Sequence, residues 1–119
     1  MTCQLNGFAM DRIVTLSERK QAEAQRRQQA VASLKGDLLT YARAHGGRFI
    51  LFGSGARHEM RYDSDVDILV DFPPDGDAAA WDFAEHACWD RGLEPDLMRL
   101  AWCKRGFLAH IAADSETLE

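Results

Sequence analysis

The sequence holds only three cysteines, Cys3, Cys88 and Cys103, and no two of them form a C-x-x-C pair. An odd, widely spaced set argues against a disulfide framework and a zinc ribbon, and it implies a reducing, cytoplasmic location. No apolar run approaches the roughly 18 residues of a membrane span, so no membrane partner is expected. Residues 1–10 are too short and too uncharged for a secretory signal. Basic residues are scarce in the second half: residues 63–119 carry four Lys+Arg against fourteen Asp+Glu, whereas residues 1–62 carry ten against five. A phosphate-backbone binder needs a continuous basic face, so direct nucleic-acid binding is not expected. An acidic half suits a site that gathers divalent cations, or a solvated acidic surface. Internal repeats and low-complexity tracts are absent as well.

What is present is the composition of an ordinary globular domain. The 119 residues are 46% hydrophobic and 28% charged, with a net charge of −5. That length supports one core without a metal or disulfide staple. Residues 1–16 show no sustained period and read as a poorly ordered lead-in to a single domain over 17–119.

Thr15-Leu16-Ser17-Glu18 has the form of a helix capping box. Val31, Leu34, Leu38 and Tyr41 continue that helix as one apolar stripe, and Gly46-Gly47 stops it. Arg19, Lys20, Arg26 and Arg27 lie in a first half with few large apolar residues, read as a solvated face, with a partner surface as the alternative. Arg48 to Phe52 is a short strand, and Ser54 to Arg57 opens a short helix. Asp65 to Phe72 is a second strand, Ala78 to Asp90 a helix with Trp81, Ala84 and Cys88 on one stripe. Leu93 to Leu100 is a third strand and Trp102 to Ala113 a final helix. The order is that of an α/β or α+β fold, taken as α+β with a small mixed sheet packed by helices.

The segment FILFGSGARHEMRYDSDVDILVDF, Phe49 to Phe72, concentrates the chemistry. A strand ending in Gly53-Ser54 offers free backbone N–H groups, and Gly53 lets a phosphate approach the main chain. Asp65 and Asp67, two apart on a strand, leave the same face of the sheet, where a cation would relieve their repulsion. Asp96 reaches the same place if its strand is the neighbour; Glu94 is a rival carboxylate there. Three carboxylates beside a phosphate-binding turn suit one or two magnesium ions (Mg²⁺) and a nucleoside triphosphate. The alternative for the pair is a solvated strand face. His45, His58, His86 and His110 are scattered and read as surface or packing residues, and Cys88 as a small core residue.

Gly53-Ser54, ten residues, then Asp65-x-Asp67 resembles the GSx10DxD signature of the DNA-polymerase-β-like nucleotidyltransferases. The fuller run GSGAR…SDVDILV resembles the minimal nucleotidyltransferases, partners of HEPN-domain proteins in toxin–antitoxin pairs. The likeness spans about Leu34 to Leu118. It implies the polymerase-β-like nucleotidyltransferase fold. It implies that Gly53 and Ser54 hold the triphosphate, that Asp65 and Asp67 bind metal, and that Asp96 is the third catalytic carboxylate and metal ligand. Arg57 then contacts the nucleotide or orders the turn, and Ser64 orients the loop. Gly is common in such proteins where this chain has His58.

The resulting expectation is transfer of a nucleoside monophosphate, AMP from ATP, with two Mg²⁺ ions, to a hydroxyl of a partner protein. Larger relatives carry a further helical domain for the acceptor, so a HEPN-domain ribonuclease toxin would present it here. That transfer (AMPylation) would make the protein an antitoxin. Two alternatives compete: a module that neutralises its partner by contact alone, and a small-molecule nucleotidyltransferase.

Overall fold

The computed structural model describes residues 14–119. The expected lead-in falls mostly on residues 1–13, outside the described residues. Helix α1, Leu16–His45, starts on the expected capping box. Glu18 N–H donates to Thr15 Oγ1 at 3.1 Å, and Thr15 N–H to Glu18 Oε1 at 2.9 Å. It ends at Gly46, whose φ of 70° is left-handed and whose N–H bonds back to Ala42. Val31, Leu34 and Leu38 are fully buried, each contributing about 1.5–3 kcal/mol relative to exposure.

The first half of α1 is mostly exposed, as expected, but two of its arginines also reach other parts of the chain. Arg26 donates to the Arg91 and Gly92 carbonyls, both at 2.8 Å, and Arg27 to the Ser64 carbonyl at 2.7 Å. Glu23 accepts from both arginines, and their hydrogen bonds, Arg26 first, lower its carboxyl to about 2. The helix thus holds two distant loops by charge-assisted bonds to carbonyls, a use of arginine that apolar periodicity does not reveal.

Four strands follow: β1 Arg48–Phe52, β2 Val66–Asp71, β3 Pro95–Arg99 and β4 Glu116–Leu118. Their order is β3-β2-β1-β4. β1 runs antiparallel to both β2 and β4, and β2 pairs with β3 in parallel. Helix α2, Asp77–Trp89, makes the crossover between those parallel strands. Phe49, Leu51, Val66, Ile68 and Val70 join α1 and α2 in one core with Ala80, Ala84 and Cys88. Burial pushes the Cys88 thiol up to about 12.

The end of the chain departs from the single helix expected over 102–113. It breaks into a 3-10 turn, Leu100–Trp102, helix α3, Arg105–Ile111, and a second 3-10 turn, Ala112–Asp114. β4 was not legible, since three residues are too few to show alternation. Pairing with Phe49 nevertheless buries Leu118 to 4% exposure. α3 lies on the sheet face opposite the main core, where Phe107 meets Phe52 edge-on at 5.7 Å. Among the described residues, no helix is long and apolar enough to cross a membrane.

Candidate active site

β1 ends at Phe52, and Gly53 takes φ +71°, a left-handed turn that costs a glycine little. A Cβ at this position would overlap Asp67 Oδ2. Residue 53 is therefore glycine for two reasons, the turn and the carboxylate beside it. The chain then makes tight turns, not the short helix expected over 54–57. Arg57 N–H bonds to the Gly53 carbonyl at 3.2 Å and Glu59 N–H to the Ser54 carbonyl at 2.8 Å. Among the described residues the N–H groups of Ser54, Gly55 and Ala56 have no acceptor; Gly55 is buried, while Ser54 and Ala56 are partly exposed and can meet an anion. The Ser54 hydroxyl lies 3.6 Å from the Met60 sulfur.

Helix α1 secures this loop. Gln28 accepts from Met60 N–H at 3.2 Å and lies 3.4 Å from His58 Nδ1. His58 has φ 59°, in the left-handed region that glycine adopts more readily than histidine. Ser64 closes the next turn: its hydroxyl accepts from Arg61 N–H at 2.8 Å, and its carbonyl accepts from Arg27.

Asp67 sits on β2 between Phe52 of β1 and Asp96 of β3, its register partners. Asp65 lies exposed just before the strand, and Asp96 is exposed, while Asp67 is half-buried. Burial first, then the charge of Asp96 and a hydrogen bond with it, then Asp65, raise the Asp67 carboxyl to about 6. Arg57 opposes that shift. Its guanidinium is exposed and donates to Glu59 Oε1 at 2.8 Å. The rival Glu94 is exposed and precedes β3, its carbonyl accepting from Val66 N–H at 2.8 Å.

Asp67 and Asp96 therefore converge, with Asp65 within electrostatic reach. Among the described residues, no three His, Cys, Asp or Glu side chains stand as a ready metal cage. The donor set still fits a hard divalent cation, which takes one or two carboxylates and keeps water and phosphate oxygens as its other ligands. The like-charge strain at Asp67 is what such a cation relieves.

A pocket of about 260 Å³ opens beside Asp67, bordered by Phe52, Gly53, Arg57, Phe107, His110 and Asp114. The last three come from α3 and the turn after it, which sequence reasoning left out of the site. Their signal was present: Phe107, His110, Ile111 and Asp114 recur at helical spacing and form one face. Larger hollows lie between α1 and α2, about 470 Å³, and at Gly46 to Phe72, about 510 Å³. Neither includes Gly53, Asp67 or Asp96.

Searches of curated proteins and of solved structures return no match. A family model described as the nucleotidyltransferase domain matches residues 31–111, from the buried stripe of α1 through α3. With well over half of the chain matched, and a four-stranded mixed sheet presenting its aspartates beside a glycine turn, the protein belongs to the nucleotidyltransferase domain family of the polymerase-β-like superfamily.

Proposed function

We propose that the protein transfers AMP from ATP to a hydroxyl group of a partner protein, a HEPN-domain ribonuclease toxin, and so acts as its antitoxin. The observation that carries the nucleotide chemistry is the convergence of Asp67 and Asp96 on adjacent strands, opposite a glycine turn with open N–H groups. Asp65, Asp67 and Asp96 would hold the metal. Bound there, Mg²⁺ supplies charge neutralisation at phosphorus and at the attacking and leaving oxygens. The Ser54 and Ala56 N–H groups bind phosphate oxygens, and Gly53 keeps Asp67 from being displaced by a side chain.

The choice of a protein acceptor is supported by the likeness of GSGAR…SDVDILV to the minimal nucleotidyltransferases. Exposure of Asp65 and Asp96 agrees with an acceptor arriving from outside this domain. The test is to incubate the protein with ATP, Mg²⁺ and a HEPN partner and weigh the partner by mass spectrometry. AMP-sized additions that disappear with Asp65→Ala/Asp67→Ala support transfer; silencing of the toxin without any added mass refutes it. A second reading, neutralisation by contact alone, draws on the absence of a ready three-ligand cage among the described residues. It expects the same silencing from the double variant.

A further inference from the structure

Trp102 is the most exposed large apolar side chain among the described residues, at 71%. It ends the 3-10 turn that follows β3, the strand carrying Asp96. The indole is nevertheless held in place. The Arg99 guanidinium lies 4.7 Å from its ring centroid and 4.6 Å from that of Trp81, a cation between two indoles. Arg99 in turn is tied by its Nε to the Asp77 carboxylate at the start of α2. Such an arrangement fixes an aromatic plane in water at a hydration cost, which a ligand stacking on it would recover.

The ring borders a hollow of about 240 Å³ lined by Met98, Trp102, Cys103, Lys104 and Phe107. Among the described residues no carboxylate lines it, in a half of the chain that is strongly acidic. Two links join it to the aspartates. Phe107 borders both this hollow and the Asp67 pocket. Met98 follows Asp96 by two residues on β3, so it leaves the same sheet face about 6.7 Å further along. A molecule with its phosphates at Gly53 and Asp67 could thus extend an uncharged, planar end toward Trp102.

We propose that this hollow is the nucleobase subsite of the donor nucleotide, with Trp102 as the stacking platform and Arg99 as the residue that positions it. The assignment rests on nucleotide binding at Asp67 and Asp96. Its size and acid-free lining suit a base better than the charged tail. Stacking needs only a π-face, so the subsite supplies affinity without reading one base strictly.

Titration calorimetry of the full chain with a non-hydrolysable ATP analogue and Mg²⁺, alongside inorganic tripolyphosphate, tests it. Trp102→Ala is expected to weaken the analogue about tenfold or more while tripolyphosphate keeps its wild-type affinity. Trp102→Phe should restore most of the loss, and Trp89→Ala, which removes another exposed indole, should change neither ligand. In the wild type, the analogue should slow alkylation of Cys103, read peptide by peptide, and tripolyphosphate should not. Unchanged analogue affinity in Trp102→Ala overturns the subsite with nucleotide binding intact. So does a variant that binds the analogue normally but loses a partner protein, since Trp102 would then be a protein contact. A wild type that binds neither ligand overturns the nucleotide reading itself.

Discussion

Asp67 and Asp96 are register partners on two parallel strands, so their carboxyls leave the same sheet face side by side. Two acids in that relation, one half-buried, cannot both ionise cheaply without a cation. The resulting rise of Asp67 to about 6 places a charge-poised group beside the glycine turn.

Removing either carboxylate should abolish most transfer while leaving the fold intact, because Asp96 is exposed, Asp67 is only half-buried, and neither belongs to the hydrophobic core. Asp67→Ala or Asp96→Ala is expected to slow the proposed AMP transfer by about a hundredfold or more. Mass spectrometry of the acceptor at saturating ATP measures this. A wild-type rate in Asp67→Ala would remove the pair from the chemistry.

The metal-free protein should lose stability as pH rises through about 4 to 6. A raised carboxyl pKa means that the folded state binds the proton more tightly than the unfolded state does, so deprotonation favours unfolding in that window. Asp67→Asn should flatten that part of the profile and raise the melting temperature above pH 6. Thermal melts in a chelator, from pH 4.5 to 8, decide it. A profile equally steep in both proteins would contradict the assignment.

Two glycines should respond to alanine in opposite directions. Gly53→Ala must adopt a left-handed φ and meet Asp67 Oδ2, costing about 1–2 kcal/mol and displacing the carboxylate. Gly36, within α1, has open space where its Cβ would be. Its alanine variant should gain about 0.5–1 kcal/mol. Denaturant midpoints compare the two, and transfer should fall only in Gly53→Ala.

Arg27 should behave as a positioning residue. Its guanidinium is mostly buried, at 14% exposure, and reaches from α1 to the Ser64 carbonyl just ahead of Asp65. Arg27→Met keeps the stem and loses the bond, at a cost of about 1.5–3 kcal/mol. Amide exchange over residues 61–65 should quicken, a local effect that separates loop loosening from global destabilisation. Unchanged exchange there would assign Arg27 to packing alone.

The two cysteines among the described residues should differ sharply toward iodoacetamide at pH 8. Cys88 is fully buried and its thiol is raised to about 12, whereas Cys103 is partly exposed. Peptide mapping should find Cys103 modified and Cys88 untouched in the native state. Fast alkylation of Cys88 would mean that the α2 side of the core opens readily.

Features with a local cause can be read directly from the order of residues. Thr15 and Glu18 cap the first helix because both partners lie within one turn. Val31, Leu34 and Leu38 mark its buried stripe because a helix repeats every 3.6 residues. The turn at Gly53 and the strand position of Asp67 were legible because short-range geometry sets them, whereas Asp65 falls just ahead of the strand it was expected to open. Tertiary structure alone decided the rest. Only parallel pairing of β2 with β3 brings Asp96 level with Asp67, since register is a property of two strands and not of either one. Only docking turns Arg26 and Arg27 from a solvated face into clamps on distant carbonyls. Only packing carries Phe107, His110 and Asp114 to the aspartates, and sets Arg99 between two indoles to hold Trp102. Side chains that meet across long sequence separations leave no periodic trace, because their partners are chosen by the fold and not by their neighbours.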